Sequence, residues 1–237
     1  MEAGSGPRTI VINETVLGPN DAIAERNRKR LDAWVCVAIN VLSSPGSGKT
    51  SLLERTLKDL GDRLSMAVVV GDLATDNDAR RLSGTRAPVI QINTLDICHL
   101  DAGMVSRALD EIAEPYPRLL FIENVGNMVC PAAFQLGEHA RAVLMSVTEG
   151  EDKPLKYPTL FKTADLVVLT KMDIAEAVGF DLPAALAGIH AVAPQAFVLQ
   201  TSARTGEGLP QWYDWLEERL RKEYLNADAQ RRRTGVP

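Results

Sequence analysis

The sequence predicts an α/β protein whose mostly parallel sheet is flanked by helices. Seven short runs rich in valine, isoleucine and leucine alternate with segments that carry apolar residues at helical spacing. Such continuous apolar runs are typical of parallel strands buried on both faces, and the helices between them form the crossovers. Ligands of such sheets bind beyond the carboxyl ends of the strands, so the loops that follow strands are the candidate sites.

Each strand and helix can be assigned to a segment. The predicted strands are VCVAINVL, MAVVVG, PVIQIN, LLFIEN, AVLMSV, LVVLTK and AFVLQT. Amphipathic helices are predicted from SLLERTLKDL, LDAGMVSRALDEIA and LPQWYDWLEERLRKEYL. Another helix, with Asn20 at its N-cap, is predicted before the first strand.

The composition excludes several classes of protein. The 237 residues are 46% hydrophobic and 24% charged with a net charge of -5, which fits a globular protein without a basic surface for nucleic acid. No apolar run approaches the roughly 18 residues of a membrane span, and the N-terminus lacks the apolar core of a signal peptide. We therefore expect a cytoplasmic location. Three cysteines do not suit a disulfide framework, so a special cysteine would be a metal ligand or a nucleophile.

The loop SSPGSGKT predicts a phosphate site. Backbone N–H groups at a helix N-terminus surround phosphate oxygens where glycines permit a close approach, and Gly46 and Gly48 give that room. Lys49 would reach the β and γ phosphates, and the Thr50 hydroxyl would bind Mg²⁺. Ser43 replaces the first glycine of the usual pattern, but the strand before the loop and the helix after it agree with the pattern. The predicted phosphate-binding residues are Gly46, Ser47, Gly48, Lys49, Thr50 and Ser51.

Two later motifs predict that the base is guanine. TKMD, at the end of a strand, resembles the NKxD motif of GTPases, and Asp173 can accept hydrogen bonds from the ring N–H and the amine of guanine. Lys171 belongs to the same motif, whereas Thr170 replaces the asparagine and removes one amide contact. In TSARTGEG, Ser202 and Ala203 are predicted to line the base.

Acidic residues complete the predicted phosphate site. Asp72 follows one strand, and Glu123 ends another, three residues before Gly126. The two carboxylates are predicted to hold Mg²⁺, and the N–H of Gly126 would contact the γ-phosphate and sense its presence. We predict Lys49, Asp72, Glu123 and Gly126 as the catalytic residues. The alternative is that Asp72 and Glu123 only cap the elements that follow them.

Three residues predict a second, softer metal site. Cys98 and His99 are adjacent before a helix, and Cys130 follows Glu123 in the next strand-end loop. Thiolate and imidazole suit Ni²⁺ or Zn²⁺ rather than Mg²⁺. One chain offers one ligand fewer than a closed tetrahedral zinc site, so we expect a metal shared across a two-fold dimer. Cys36 lies within the first predicted strand and is interpreted as a core residue.

Taken together, the motifs resemble one family. The segments SSPGSGKTSLLERTL, GDLATDNDA, CHLDA, FIENVGNMVCPAAFQLGE, TEGEDKPLKYP, TKMD and SARTGEGL are similar to those of the hydrogenase nickel incorporation GTPases, the HypB family. These belong to the SIMIBI class of P-loop GTPases. The resemblance runs from about Ile10 to the last helix, and CHLDA and ENVGNMVCPA are its most specific parts.

The resemblance implies a function and partners. Members hydrolyse GTP to GDP as GTP-dependent homodimers and help to deliver nickel to the large subunit of a [NiFe]-hydrogenase. They work with a small zinc-containing nickel chaperone, HypA. No glutamine or arginine finger is evident in this sequence, so we expect a low intrinsic rate of hydrolysis. The implied cofactors are GTP or GDP, Mg²⁺, and Ni²⁺ or Zn²⁺.

The chain departs from the family at several positions. Leu95 stands where the family usually has a glycine, and the first 35 residues contain none of the cysteines or histidines that store nickel in some members. Lys153 and Lys156 match family positions, as nucleotide contacts or as solvated loop residues. Ile174 and Val178 are candidates for a dimer contact or for core packing.

The predicted organisation is one main domain. Residues 1–33 form an N-terminal extension with a helix, residues 34–224 form the GTPase domain, and residues 225–237 form a flexible tail. Two other functions stay open. One is a nickel- or zinc-binding module with incidental GTPase activity, and the other is the nickel GTPase of urease maturation, although CHLDA replaces the Cys-Pro-His element of that protein.

Overall fold

The structure, a computed structural model, describes residues 13–72, 77–95 and 97–234. Its strands are β1 (Val37–Ser43), β2 (Met66–Asp72), β3 (Val89–Asn93), β4 (Leu119–Glu123), β5 (Ala140–Ser146), β6 (Leu166–Thr170) and β7 (Phe197–Gln200). Its helices are α1 (Asn13–Ala33), α2 (Lys49–Leu60), α3 (Asn77–Ser83), α4 (Ala102–Asp110), α5 (Lys153–Lys156), α6 (Pro158–Lys162), α7 (Leu182–Val192) and α8 (Leu209–Thr234). The predicted α/β class is confirmed, and each predicted strand corresponds to an observed one.

The seven strands form one parallel sheet in the order β3-β2-β4-β1-β5-β6-β7. β1, which leads into the glycine-rich loop, lies between β4 and β5. The loops that follow these three strands are therefore neighbours at one edge of the sheet, although they are far apart in sequence.

Alternate side chains of the strands pack against helices on opposite faces. On one face Ile39 and Val41 of β1 share a core with Leu53 of α2 and Trp212 of α8. The other face has two cores, one under α1 and α4 and one under α6 and α7. Full burial of β1 on both faces explains why its sequence is apolar apart from Asn40 and the terminal Ser43.

The prediction for the N-terminal helix was wrong in one respect. Helix α1 begins at Asn13 and continues through Pro19, so Asn20 lies inside the helix and is not its N-cap. The Asn20 side chain is buried and bonds outside its own helix, donating to Gln135 O and accepting from Ala102 N. From the sequence alone, an asparagine that makes a long-range contact of this kind cannot be distinguished from one that caps a helix.

The predicted division of the chain stays a prediction. Helix α8 continues to Thr234 and includes most of the segment that was assigned to the tail, while residues 235–237 and 1–12 lie outside the described residues. Among the helices that the structure describes, none has the length and apolar character needed to cross a membrane.

Candidate nucleotide and metal site

The glycine-rich loop connects β1 to α2 in the manner of a phosphate-binding loop. Gly46 and Gly48 have φ angles of 73° and 94°, in the left-handed region that glycine adopts without strain. Lys49, in the first turn of α2, donates from Nζ to Ser43 Oγ at 2.9 Å. Burial lowers the pKa of Lys49, and the nearby carboxylates, Glu123 foremost, oppose that shift. Ser43, which departs from the usual glycine, therefore holds the lysine at the phosphate site.

A cavity of about 450 Å³ opens above this loop, and we call it the phosphate pocket. Most of the residues predicted for phosphate and Mg²⁺ line it: Gly46, Gly48, Lys49, Thr50, Ser51, Asp72, Glu123 and Gly126. Among its other lining residues are two charged ones that the sequence reasoning missed, Asp78 and Arg81 of α3. Arg81 donates to Ser51 Oγ at 3.2 Å and to Glu54 Oε2 at 2.8 Å. A charged residue on the helix after the Asp72 loop was the available signal, but the sequence does not show which way it points.

Glu123 is buried at the end of β4 and faces the phosphate pocket. Its Oε1 accepts from Thr50 Oγ1 at 2.7 Å, whereas its Oε2 has no hydrogen-bond partner among the described residues. Burial raises the pKa of Glu123 to about 7, although the Lys49 ammonium acts in the opposite direction. A hydroxyl, a carboxylate with an unpartnered oxygen and Asp72 at the same cavity are the oxygen ligands that Mg²⁺ prefers, so the residues fit this ion.

The segment Glu123–Gly126, the ENVG loop, lies directly against the phosphate-binding loop. A Cβ added to Gly126 would lie 2.9 Å from the Cα and 3.0 Å from the N of Pro45. Glycine is therefore required because no larger residue fits between the two loops. A movement of either loop would be transmitted to the other.

Glu149 is a third charged residue that the sequence reasoning missed. It lies just after β5, and its carboxylate accepts from the hydroxyls of Ser44 and Ser47, the latter at 2.7 Å, and from Ser146 N at 3.1 Å. Lys153 lies 3.7 Å from the same carboxylate. Glu149 thus braces the phosphate-binding loop from the neighbouring strand, about a hundred residues away along the chain.

A second cavity of about 280 Å³, the base pocket, adjoins the phosphate pocket through Gly48, Ser51 and Lys171. The residues predicted to recognise guanine line it: Lys171, Asp173, Ser202 and Ala203. The Asp173 carboxylate accepts from Ser202 Oγ at 2.6 Å and from Arg204 Nε at 2.8 Å. These two hydrogen bonds hold the pKa of Asp173 below its usual range, so the acceptor stays ionised.

Thr170 and Lys171 connect the base pocket to the phosphate-binding loop. Thr170 Oγ1 donates to Ser47 O at 2.6 Å, so the threonine that replaces the usual asparagine makes its own link to that loop. Lys171 has a φ angle of 59°, rare for a residue other than glycine, and its Nζ donates to Gly46 O at 2.8 Å. The two sides of the nucleotide site are therefore joined by hydrogen bonds within the chain.

Cys98, His99 and Cys130, the soft-ligand cluster, come together in space. Their ligand atoms lie within 4.8 Å of one another, and the two Sγ atoms are 2.9 Å apart. The His99 ring stacks on Phe134 at a centroid distance of 4.0 Å, and its buried Nδ1 has no hydrogen-bond partner among the described residues. Burial lowers the pKa of His99, which favours the neutral imidazole that binds metals. The cluster fits a thiophilic divalent ion.

Exposed apolar residues lie next to the cysteines of the soft-ligand cluster along the chain. Leu95 is 69% exposed, and Ile97 and Val129 are also exposed beside the cysteines. Leu95 has a φ angle of 53°, so the position where the resembled family has glycine keeps the left-handed backbone with a larger residue. Cys36, in contrast, is buried in the core, and burial raises the pKa of its thiol to about 12.

The remaining candidate residues lie at the surface of this region. Lys153 contacts Glu149 and lies over the Tyr157 ring at 5.2 Å, whereas Lys156 pairs with Asp152 at 2.6 Å and is exposed. Ile174 is partly buried and Val178 is exposed.

Comparison with known proteins agrees with this geometry. The family described as CobW/HypB/UreG, nucleotide-binding domain, matches residues 37–200. The hydrogenase maturation factor HypB of Rhizobium leguminosarum bv. viciae is 52% identical over 213 residues, which cover 90% of this chain and 71% of that protein. The chain belongs to the HypB family of hydrogenase maturation factors. The match covers 90% of this chain, so the similarity is not confined to the nucleotide motifs.

Solved structures of the family have the same fold. The hydrogenase maturation factor HypB of Archaeoglobus fulgidus matches with a TM-score of 0.81 and 39% identity, covering 86% of this chain and 100% of that chain. HypB from Helicobacter pylori, solved in complex with nickel, matches with a TM-score of 0.83 and 38% identity, covering 87% of this chain and 97% of that chain. The family assignment predicted from the motifs is confirmed.

Proposed function

We propose that the chain is a GTP-hydrolysing metallochaperone that couples GTP-dependent dimerisation to nickel delivery during [NiFe]-hydrogenase maturation. One observation carries the proposal. The ENVG loop contacts the phosphate-binding loop at Pro45 and bonds to Thr50 through Glu123, and Cys130 lies only four residues after its end. The groups that would sense the γ-phosphate and the groups that would hold nickel are therefore parts of one continuous segment.

The side chains of the phosphate pocket divide the work of hydrolysis. Lys49 leaves Ser43 and pairs with the phosphates, and the Asp173 carboxylate selects guanine through its two acceptor oxygens. Thr50, Glu123 and Asp72 would hold Mg²⁺, which would supply positive charge to the phosphate oxygens. Arg81 is the cationic side chain nearest to serving as an arginine finger, but it is paired with Glu54 in this state. That pairing is consistent with a low intrinsic rate.

The soft-ligand cluster requires a second copy of the chain. Three ligands leave a divalent ion incompletely coordinated, and a two-fold dimer doubles the three to six. The exposed apolar side chains of Leu95 and Val129 beside the cluster suit such an interface. If GTP drives dimerisation, hydrolysis opens the interface and releases nickel toward the hydrogenase large subunit, with a HypA-like zinc-containing chaperone as partner.

We place this function in the cytoplasm. Cys98 and Cys130 are free thiols within 2.9 Å of one another, and they bind metal only if they stay reduced. Nickel is the proposed cargo because a solved HypB relative contains it, whereas zinc would fit the same donors.

The decisive experiment is a titration of metal-free protein with Ni²⁺ and with Zn²⁺ in GDP and in a non-hydrolysable GTP analogue. Light scattering would follow the dimer fraction in the same samples. We expect metal affinity and dimer fraction to change together with the nucleotide. Cys130→Ala should remove the metal response, while Cys36→Ala should keep it because Cys36 is buried away from the cluster.

Equal metal affinity in both nucleotides would instead support a metal-binding module whose GTPase activity is incidental. The urease-type alternative predicts that the protein supports nickel insertion into urease and not into a hydrogenase. A maturation assay with each apoenzyme distinguishes these two targets.

A further inference from the structure

A buried hydrogen-bond network lies between the ENVG loop and the soft-ligand cluster. Asn124 follows Glu123 directly and is only 1% exposed. Its Oδ1 accepts from the backbone N–H groups of Leu100 at 3.2 Å and Val125 at 3.0 Å. Because Leu100 follows His99 in the chain, one side-chain amide joins the ENVG loop to the backbone that carries the imidazole ligand.

The amide of Asn124 is held in a single orientation. Its Nδ2 donates to Asn40 Oδ1 at 3.2 Å, and Asn40 is fully buried on β1. Asn40 Nδ2 in turn donates to Glu138 Oε1 at 3.2 Å. Since both ends of each amide are used, Asn124 cannot rotate without leaving buried polar groups unpaired, which is costly in a core.

The same network reaches the turn that carries Cys130. Arg141 is buried, and its Nε donates to Glu138 Oε1 at 2.6 Å. The other two nitrogens of its guanidinium donate to Ala132 O at 3.0 Å and to Phe134 O at 2.6 Å. Ala132 belongs to the turn Cys130–Ala133, and the Phe134 ring is the one that stacks on His99. Both arms of the soft-ligand cluster are thus held from one buried network.

We propose that Asn124 is the positioning residue that transmits the position of the ENVG loop to the soft-ligand cluster. The inference rests on the proposed function, because it names the residue through which nucleotide state would change nickel affinity. A shift of Glu123 when Mg²⁺ and nucleotide bind moves the next residue, and its Oδ1 carries the N–H of Leu100 with it. The neighbouring His99 then changes its distance from the two thiolates. The connection from Glu123 to His99 thus passes through one side-chain amide, which itself lines the phosphate pocket.

The test uses the full chain and Ni²⁺ alone as the probe. Nickel affinity is measured in GDP and in a non-hydrolysable GTP analogue for the wild type, Asn124→Ala and Asn124→Ser. Serine is included because a small polar side chain should allow the protein to fold. The serine side chain is too short for its hydroxyl to reach Leu100 N. Thiolate-to-nickel absorption is recorded in each state as a direct signature of the ligand geometry.

Thr56→Val is the matched control. Thr56 is fully buried, and its Oγ1 accepts from Trp212 Nε1 at 2.9 Å on the opposite face of the sheet. The substitution therefore removes a comparable buried hydrogen bond outside the network. Thermal unfolding of each variant is measured to check that the variant is folded at the temperature of the titrations.

We expect a wild-type ratio of the two nickel affinities of at least about fivefold, the usual lower size of coupling between two sites. The ratio should fall below about twofold in both Asn124 variants, with nickel and nucleotide still bound, and should persist in Thr56→Val. A wild-type ratio that survives in a folded Asn124 variant overturns the inference and leaves the proposed function standing. A wild-type ratio of one overturns the proposed function, and the inference with it.

Discussion

The phosphate pocket and the soft-ligand cluster lie at the same edge of the sheet, but their side chains are held in different ways. Lys49, Thr50 and Glu123 are buried, and each already has a hydrogen-bond partner. Cys98 and Cys130 are only partly buried, and they contact each other through their thiols. The candidate residues of the first site line two adjoining cavities of one chain, whereas the second site offers an ion three ligands. A site of three ligands suits the shared nickel of the proposed function.

The largest effect is expected from Lys49→Met, which should nearly abolish GTP hydrolysis without changing the soft-ligand cluster. It removes the buried ammonium that faces the phosphates, so GTP turnover should fall by about a thousandfold. Nickel affinity without nucleotide should stay within about twofold of the wild type. Phosphate release and nickel titration measure the two effects. Turnover within about threefold of the wild type would show that Lys49 does not contact the transferred phosphate.

Gly126→Ala should disturb the contact between the ENVG loop and the phosphate-binding loop. The new Cβ would meet Pro45 at 2.9 Å, so the ENVG loop or the phosphate-binding loop must move. We expect affinity for a GTP analogue to fall about tenfold or more, GDP affinity to fall less, and stability to fall by about 1–3 kcal/mol. Gly18→Ala is the control, since nothing lies within 4 Å of a Cβ at that position. Equal losses of GDP and GTP analogue would argue against γ-phosphate sensing by this loop.

Arg81→Ala should test whether the phosphate pocket contains its own catalytic cation. Arg81 lines the pocket beside Lys49 but pairs with Glu54. The variant should lower the rate of hydrolysis by about tenfold or more while GDP affinity changes little, because the developing charge appears only during reaction. Arg86→Ala, at a side chain that is 90% exposed, is the control. An unchanged rate of hydrolysis would show that Arg81 has no catalytic role.

His139→Asn should test the buried contacts that join His139 to Ala38 of β1 and Asp32 of α1. His139 Nδ1 accepts from Ala38 N at 3.0 Å, its Nε2 lies 3.0 Å from Asp32, and burial lowers its pKa below 6.5. The unfolded imidazole therefore gains a proton below about pH 6.5 while the folded one does not, so stability is lost as the pH falls, by at most about 1.4 kcal/mol per unit. Thermal melts at pH 8 and pH 5.5 should show a smaller difference for the variant. An equal difference would assign the acid sensitivity to other groups.

Leu95→Gly should have the smallest effect, at the edge of the soft-ligand cluster. Its left-handed backbone costs leucine about 1 kcal/mol, but glycine gains entropy in the unfolded chain, so the net change in stability should stay below about 1 kcal/mol. The freer loop should bind nickel faster, which stopped-flow absorbance measures. Leu95→Ala keeps the strained backbone and should not accelerate binding. If both variants bind nickel at the same rate, the backbone conformation does not limit entry.

The comparison also shows what the sequence could predict. The strands and the phosphate-binding loop were predictable because buried parallel strands and glycine turns impose local patterns on the sequence. Cys98 and Cys130 were predicted to act together from the chemistry of their thiols, although the loops that carry them follow β3 and β4, which β2 separates. The brace from Glu149 and the network around Asn124 were not predictable, since they join residues about a hundred positions apart without any periodicity. The prediction that Asn20 is an N-cap was wrong for the same reason, because asparagine serves equally in a buried tertiary contact and in a helix cap.

The order of the strands has a consequence for the newly made chain. β1 lies between β4 and β5, and the base pocket is completed by Ser202 and Arg204, which follow β7. A nascent polypeptide that ends before these residues has the glycine-rich motif but lacks the walls that would retain guanine. Pairings so distant in sequence also form slowly compared with local ones. A chain whose synthesis has not passed its last strand therefore lacks part of the proposed guanine site.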